Sequence, residues 1–503
     1  MQDNPKSALH ADRRRRELDS LGDRGDVDVL VIGGGVTGVG TALDAASRGL
    51  RTVLVDKHDL AFGTSRWSSK LAHGGLRYLA SGNVGIARES AVERGILMTR
   101  TAPHLVRALP QLVPLLPSVS MFEKSLVRVG FLAGDALRVT ARTPSSVLPR
   151  SRRVDAERAA QLAPAVRRDG LRGGLLAYDG QLVDDARLVV ALARTAAAHG
   201  ATVLTRVGAY DVTGDSARLR DELTGEELTI RARSVVNAAG VWAGEVDPGI
   251  RLKPSRGTHL VLPAELLGNP TAALTVPIPG ETNRFVFALP AQLGRVYLGL
   301  TDEAVDGAIP DVPVASDSEI DFLLDTVNTA LATPVTRSDV LGTFAGLRPL
   351  LDTGEGETAD LSRNHAVLRS SNGVVGVVGG KLTTYRKMAQ DAVDAAIAAG
   401  GLTAGPCVTT DLRAMGADRT APRNLPASLV ARYGSEAGLV ADCGELTPIA
   451  DGIDVTHAEL AFAVSHEGAL DVDDLLDRRT RIGLVTADRE RALPAAERAL
   501  GGN

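Results

Sequence analysis

The sequence predicts an α/β fold with a helical C-terminal part, and three observations carry that reading. The run "DVDVLVI" (26–32) leads through "GGGVTG" (33–38) and a helical stretch to Leu50 into "RTVLVD" (51–56). This is a βαβ unit. In the middle of the chain, "THLVLP" (258–263), "RFVFALP" (284–290) and "VYLGLT" (296–301) read as strands of an antiparallel sheet. Beyond Gly400 a loose segment with Pro406, Pro422 and Pro426 gives way to helical patterns.

Length and composition set the bounds. The 503 residues exceed one core, which rarely grows past ~250–300 residues, so two or three domains are expected. Charged residues are 23% and hydrophobics 44%, as in a soluble globular protein. A net charge of −5 gives no reason to expect nucleic acid. Cys407 and Cys443 make neither a disulfide framework nor a CxxC metal site. No run approaches the ~18 apolar residues of a membrane span, and no secretory h-region is visible. A cytoplasmic protein is expected, free or peripheral to a membrane. Of the 56 basic residues only seven are Lys, so Lys70 and Lys381, both in glycine-rich motifs, run against the chain's habit.

Taken in order, residues 1–25 are polar, with Arg13 to Arg16 in a row, and are expected to be a disordered tail. Pro103, Pro110, Pro114 and Pro117 exclude one straight helix over 103–122. The stretch 121–134 reads as an amphipathic helix with Lys124 and Arg128 on one face, at the core or at a membrane surface. A helix over 184–200 stops at Gly200. "ARSVVNAAG" (232–240) is a strand ending in a glycine turn, and "VVGVVGG" (374–380) is a buried strand before a helix over 383–399. Thr456 and Glu459 have capping-box spacing before another helix, and 471–484 reads as a further helix.

The chemistry concentrates at the glycines. Gly33-x-Gly35-x-x-Gly38 follows a strand, opens a helix, and is followed by a strand ending in Asp56. In that context the glycines permit close backbone approach to a pyrophosphate, and the helix N-terminus favours its charge. Asp56 is placed to accept from ribose hydroxyls. The motif does not separate FAD from NAD. "GTSRWSSKLAHGGLRYL" (63–79) adds Thr64, Ser65, Ser68 and Ser69 as short donors, with Gly74 and Gly75 to lie against a ring. "GGKLTTYRK" (379–387) repeats the logic: strand, double glycine, lysine, threonines, helix start. His466 and Glu467 lack HExxH spacing, so no metal is expected.

Taken with "VDDARLV", "NAAGVW", "RGTHLVLP", "GLRPL" and the final "RRTRIGL" (478–484), these motifs resemble the FAD-dependent, respiratory glycerol-3-phosphate dehydrogenase family, within the glycine-oxidase-like flavoproteins. The resemblance runs from about Asp26 to Leu484. It implies a glutathione-reductase-like FAD-binding domain assembled from discontinuous pieces (26–400), an inserted antiparallel substrate sheet over roughly 250–350, and a helical C-terminal domain (405–503). It implies FAD contacts at Gly33, Gly35, Gly38, Asp56, Thr64, Ser65, Ser69, Lys70, Gly74, Gly240, Gly380, Lys381, Leu382 and Thr383. His73, His259, Arg348 and Lys381 would be catalytic, and Arg77, Tyr78, Arg348 and Arg363 would hold the substrate. A phosphate dianion wants Arg or Lys, and an alcohol losing hydride wants a histidine base, with His73 and His259 both eligible.

The implied reaction converts sn-glycerol 3-phosphate to dihydroxyacetone phosphate, with electrons passing to a membrane quinone on the inner face of the cytoplasmic membrane. A homodimer is one expected assembly. An oxidase that uses O2, an amine or amino-acid oxidoreductase of the same fold, and a flavin-bound adaptor without activity stay open as alternatives.

Overall fold

The computed structural model describes residues 4–22, 26–75, 83–117, 121–281, 284–352, 365–418 and 420–501. Among these, the backbone forms two large sheets and a C-terminal helical part.

The first sheet runs, in spatial order, His365–Arg369, Val375–Gly379, Glu227–Asn237, Val27–Ile32, Thr52–Asp56 and Thr202–Thr205. Its centre is parallel: Val27–Ile32 pairs on one side with Glu227–Asn237 and on the other with Thr52–Asp56. Val29, Leu30 and Val31 are fully buried, as both faces of a parallel sheet require. Helices Val36–Ser47, Asp185–Ala198 and Tyr385–Gly400 pack side by side, their small residues bringing the axes close. A Cβ at Gly40 would lie 3.0 Å from the Tyr385 ring. The second sheet is mostly antiparallel and contains Ser255–Pro263, Ala273–Pro277, Phe285–Pro290, Arg295–Gly299 and Gly342–Arg348.

Three expectations need correction. The second sheet is not confined to 250–350: Leu71–Ala72, Val106–Pro114, Arg152–Val154 and Gly174–Leu182 belong to it as well. Its early strands end at Leu182 and its late ones begin at Ser255, so no local pattern joins them. Nor is the N-terminal segment a disordered tail. Residues Ala11–Asp19 form a helix capped by His10. Arg14 donates to the carbonyls of Thr205 (2.7 Å) and Arg206 (3.0 Å) and pairs with Asp221, while Leu18 and Leu21 are buried. Arg14 serves carbonyls at a strand end, so the polarity of this segment does not mark solvation throughout. The third correction concerns 471–484. Asp474–Arg479 is a single wide helical turn and Ile482–Leu484 a short tight one, with Arg481 between them in the left-handed region at φ 62°. The helix breaks there because its arginines turn inward to buried carboxylates.

The rest of the C-terminal part holds helices Ala427–Tyr433, Ala437–Ala441, His457–His466 and Thr486–Gly501, with a two-stranded ribbon, Pro448–Ala450 and Ile453–Thr456. The Thr456–Glu459 capping box is present. Helix Met121–Thr140 extends past the expected 134.

Candidate functional site

A cavity of about 800 Å³ runs between the two sheets. At one end lie Gly33, Gly35, Val36, Thr37 and Asp56 from the opening βαβ unit. At the other lie His259, Asp302 and Arg348 from the second sheet, with His73 and Lys381 also on the wall.

The nucleotide end is built by the backbone. Gly33 has φ +117°, and a Cβ there would sit 2.5 Å from the Ala238 carbonyl oxygen. Only glycine fits. Gly35 caps helix Val36–Ser47 with no side-chain hydrogen bond, so the helix presents backbone N–H groups at the cavity. The Asp56 carboxylate accepts from the N–H groups of Gly34 (2.5 Å) and His58 (2.6 Å). Burial pushes it up to about 6 against the pull of those two bonds.

The opposite end is built by strand pairing. On Ser255–Pro263, Gly257 and His259 face the cavity together, as a period of two requires. Gly257 lies opposite Gly346, and His259 lies opposite both Phe344 and Gly299. The missing Cβ atoms make the room: one at Gly299 would be 2.2 Å from the His259 ring, and one at Gly257 would be 2.4 Å from Arg348 Nη2. Ser69 Oγ lies 2.9 Å from His259 Nε2. Burial, then the charges of Lys70 and Arg348, push the His259 imidazole well below its usual range. Arg348 donates through Nη1 to Ser255 Oγ (3.1 Å) and Asp302 Oδ1 (3.1 Å), and through Nη2 to the Thr301 carbonyl (3.0 Å).

His73 joins two of the expected segments. Its N–H donates to Thr383 Oγ1 at 3.1 Å, and its Nδ1 lies 3.3 Å from Asp179 Oδ2. Burial works to raise the Asp179 carboxyl, but Arg94 (2.5 Å) and His73 outweigh it and hold it below the usual range. The His73 side chain is 44% exposed.

Against this geometry, residues 28–404 match the model of the FAD dependent oxidoreductase family. Residues 377–500 match that of the C-terminal domain of alpha-glycerophosphate oxidase. The chain is 65% identical over 505 residues to glycerol-3-phosphate dehydrogenase 1 of Mycobacterium tuberculosis, covering 98% of each chain. It is 37% identical over 511 residues to glycerol-3-phosphate dehydrogenase of Mycobacterium leprae, covering 95% of this chain and 85% of that one. It superposes on the X-ray structure of the glycerol-3-phosphate dehydrogenase from Bacillus halodurans complexed with FAD with a TM-score of 0.73, at 26% identity, over 98% and 94% of the two chains. The chain belongs to the FAD-dependent glycerol-3-phosphate dehydrogenase family.

The residues present fit that family's cofactor. The cradle at Gly33, the helix N-terminus at Val36 and the half-buried Asp56 suit a dinucleotide. Gly35, Thr64, Ser65, Ser69, Gly240, Gly380, Lys381, Leu382 and Thr383 also line the cavity. Several expected donors are turned to the protein itself. Thr64 Oγ1 donates to the Leu347 carbonyl at 2.6 Å, and Ser65 Oγ accepts from the Val36 N–H at 2.9 Å. Lys381 Nζ donates to Ser90 Oγ at 2.5 Å.

Three expected cofactor contacts lie off the wall. A Cβ at Gly38 would be 1.8 Å from the Gly33 carbonyl oxygen, so Gly38 lets the helix close on its turn. Gly74 makes room for the Arg94 guanidinium, and its N–H donates to Asp179. Lys70, 3% exposed, donates to Asp185 and to the carbonyls of Arg66 and Ser68. Its ammonium was wanted inside the fold. Arg77, Tyr78 and Arg363 lie outside the described residues.

Sequence reasoning missed Asp179, Asp302, Gly257 and Gly299. Asp302 follows "VYLGLT" in a turn where an acid is ordinary, and its meaning comes only from Arg348 across the sheet.

Proposed function

We propose that the protein oxidises sn-glycerol 3-phosphate to dihydroxyacetone phosphate and passes the electrons to a membrane quinone. The observation that carries the reading is the meeting of His73, His259, Arg348 and Lys381 on one cavity wall with the dinucleotide cradle. The substrate reading is supported by relatives that are glycerol-3-phosphate dehydrogenases, one of them 65% identical over 98% of the chain.

FAD, when bound, accepts the hydride from the substrate carbon that carries the hydroxyl. His73 takes the hydroxyl proton. Asp179 holds its Nδ1 and leaves Nε2 as the proton-accepting atom, the arrangement of a base with an orienting carboxylate. His259, made less basic by burial and by the charges of Lys70 and Arg348, with its Nε2 2.9 Å from Ser69 Oγ, is the poorer proton acceptor and serves as a hydrogen-bond partner. Lys381 and Arg348 stabilise negative charge growing on the substrate oxygen. Arg77 and Arg363 remain proposed phosphate ligands by resemblance.

Quinone as acceptor is supported by helix Met121–Thr140. Val129, Leu132 and Val139 are exposed (63%, 50% and 60%) and recur at spacings that put them on one face. Such a stripe suits a protein lying on the inner face of the cytoplasmic membrane. Among the described residues no helix is long and apolar enough to cross a membrane. The match to an oxidase C-terminal domain favours one second reading, O2 as acceptor.

Anaerobic addition of sn-glycerol 3-phosphate should bleach the flavin, and reoxidation by a short-chain quinone should outpace reoxidation by O2. An unbleached flavin overturns the substrate. Faster reoxidation by O2 overturns the acceptor and leaves the substrate standing.

A further inference from the structure

Asp179 ties His73 to Gly74 and to Arg94. Its Oδ2 lies 3.3 Å from His73 Nδ1, and its Oδ1 accepts from the Gly74 N–H (2.9 Å) and from Arg94 Nη1 (2.5 Å). Strand Gly174–Leu182 supplies Asp179, helix Val84–Ile96 supplies Arg94, and His73 and Gly74 follow strand Leu71–Ala72. The Asp179 and Arg94 side chains are 9% and 5% exposed, so salt screens this pair little.

Room for the guanidinium comes from a missing side chain. A Cβ at Gly74 would lie 2.1 Å from Arg94 Nη1 and 2.5 Å from Arg94 Cζ. Gly74 is outside the left-handed region, so its backbone does not itself call for glycine. The guanidinium occupies the place that a side chain would take. Neighbouring charges have other partners. Glu93, beside Arg94 on the helix, accepts from Arg386 (2.6 and 2.8 Å). Lys381 reaches the same helix at Ser90 Oγ. Arg107, on the strand paired with that of Asp179, donates to Gln181 (3.3 Å). Arg94 and His73 are the charged groups that act most on Asp179.

An ionised carboxylate strengthens the hold of an adjacent imidazole on its proton, and a cation on the far oxygen of that carboxylate opposes the effect. We infer that Arg94 is a positioning residue of the proton path: through Asp179 it fixes the orientation of His73 and eases the release of the proton that His73 takes up. The inference rests on the reading of His73 as the base. An Asp179–His73 pair without the arginine stays protonated to higher pH, and a protonated imidazole cannot accept the substrate's proton. The two groups titrate as a pair, so loss of the cation moves the pair upward whichever of them holds the proton.

The test is the pH profile of kcat/KM for sn-glycerol 3-phosphate, measured on holoenzyme with the flavin content of each variant. Arg94→Met removes the cation and keeps most of the side chain's length. Its acid limb should move up by about one pH unit or more, the usual scale for a charge at close range, with flavin content unchanged. Arg94→Lys keeps the charge, and its limb should stay near that of wild type. Gly74→Ala is an independent probe, because the added methyl displaces the guanidinium and removes no charge from the chain. Its limb should also move up, and the double variant should match Arg94→Met alone. An unmoved limb in flavin-loaded Arg94→Met overturns the proposal, and so does a limb that moves as far in Arg94→Lys. If Arg94→Met fails to hold flavin, Gly74→Ala decides, and an unmoved limb there overturns the proposal too. If His73→Gln keeps near-wild-type kcat/KM, the reading of the base fails and this inference falls with it. If His73→Gln loses turnover but the limb stays in place in the Arg94 and Gly74 variants, this inference alone fails.

Discussion

The His259 imidazole lies flat against the Phe344 ring, with centroids 4.6 Å apart and planes 7° from parallel. Lys70 Nζ sits 4.9 Å from the centroid of the same Phe344 ring. The stack fixes His259 in a dry place beside a cation, and its imidazole is held well below the usual range. His259→Asn is therefore expected to lower kcat/KM without moving the acid limb of its pH profile. A shifted acid limb would show that His259 itself titrates during turnover.

His73 is expected to behave differently. His73→Gln removes the acceptor that Asp179 orients, and kcat/KM should drop by ~10²–10⁴, the usual worth of a general base. Flavin content should hold, because His73 is bound to Thr383 through its backbone N–H and not through its ring. Activity within a few-fold of wild type would remove it from the proton path.

Arg348→Lys tests the planar fork. Arg348 reaches Ser255, Asp302 and the Thr301 carbonyl in a fixed geometry, and a single ammonium cannot reach all of them. Losing a buried charge-assisted pair costs ~2–5 kcal/mol, or roughly 30- to several thousand-fold in kcat/KM. Steady-state kinetics with flavin occupancy measured alongside decides it. Near-wild-type kcat/KM would make Arg348 a wall residue only.

Stability should fall on mild acidification. Burial, then the charge of Arg187, pushes His104 down to about 4 from 6.5. A base whose folded value is depressed binds fewer protons folded than unfolded between those two values. Its contribution is intact above about 6.5 and is lost as pH falls toward 4. For His104 the loss amounts to about 2–3 kcal/mol by pH 4. His104→Gln should flatten the decline in melting midpoint between pH 7 and 4, and an unchanged slope would contradict the assignment.

The opening βαβ unit was legible because that signal is local: strand, turn and helix follow one another in the chain. The Thr456–Glu459 capping box was legible for the same reason. What could not be read depends on cross-strand partners. Gly257 and Gly299 are ordinary strand glycines until Arg348 and His259 are set across from them. Lys70 lies in a motif rich in ligand-like residues, and nothing local shows that Asp185, 115 residues on, takes its ammonium. Arg14 of helix Ala11–Asp19 reads as solvated because the carbonyls it serves lie about 190 residues away.

The inward-turned arginines near the C-terminus carry a last prediction. Asp59 receives Arg478 Nε (2.7 Å) and both terminal nitrogens of Arg479 (2.7 and 2.9 Å), and all three side chains are buried. Burial alone would raise the Asp59 carboxyl, but Arg479 and Arg478 hold it well below its ordinary range. Asp59→Asn takes the shared carboxylate from two buried guanidinium groups, leaving Arg478 only Asp474 and Arg479 only the Glu467 carbonyl among the bonds described, at a cost of ~3–5 kcal/mol. The melting midpoint should fall and flavin be released, because the loop that follows Asp59 lines the cavity. A melting midpoint unchanged within error would mean that the network is dispensable.

That network also sets the order in which the molecule can be made. Arg478 and Arg479 stand 419 and 420 residues after the aspartate they grip, and Arg481 Nη2 donates at 2.6 Å to the Arg66 carbonyl, 415 residues back. A ribosome releases the N-terminal unit long before those arginines exist. The nucleotide cradle can close early, from its own neighbours, but the loop over Asp59 to Lys70 must wait for the end of translation. A chain that stops short of Arg478 is left with the loop that follows Asp59 unsecured at both Asp59 and Arg66.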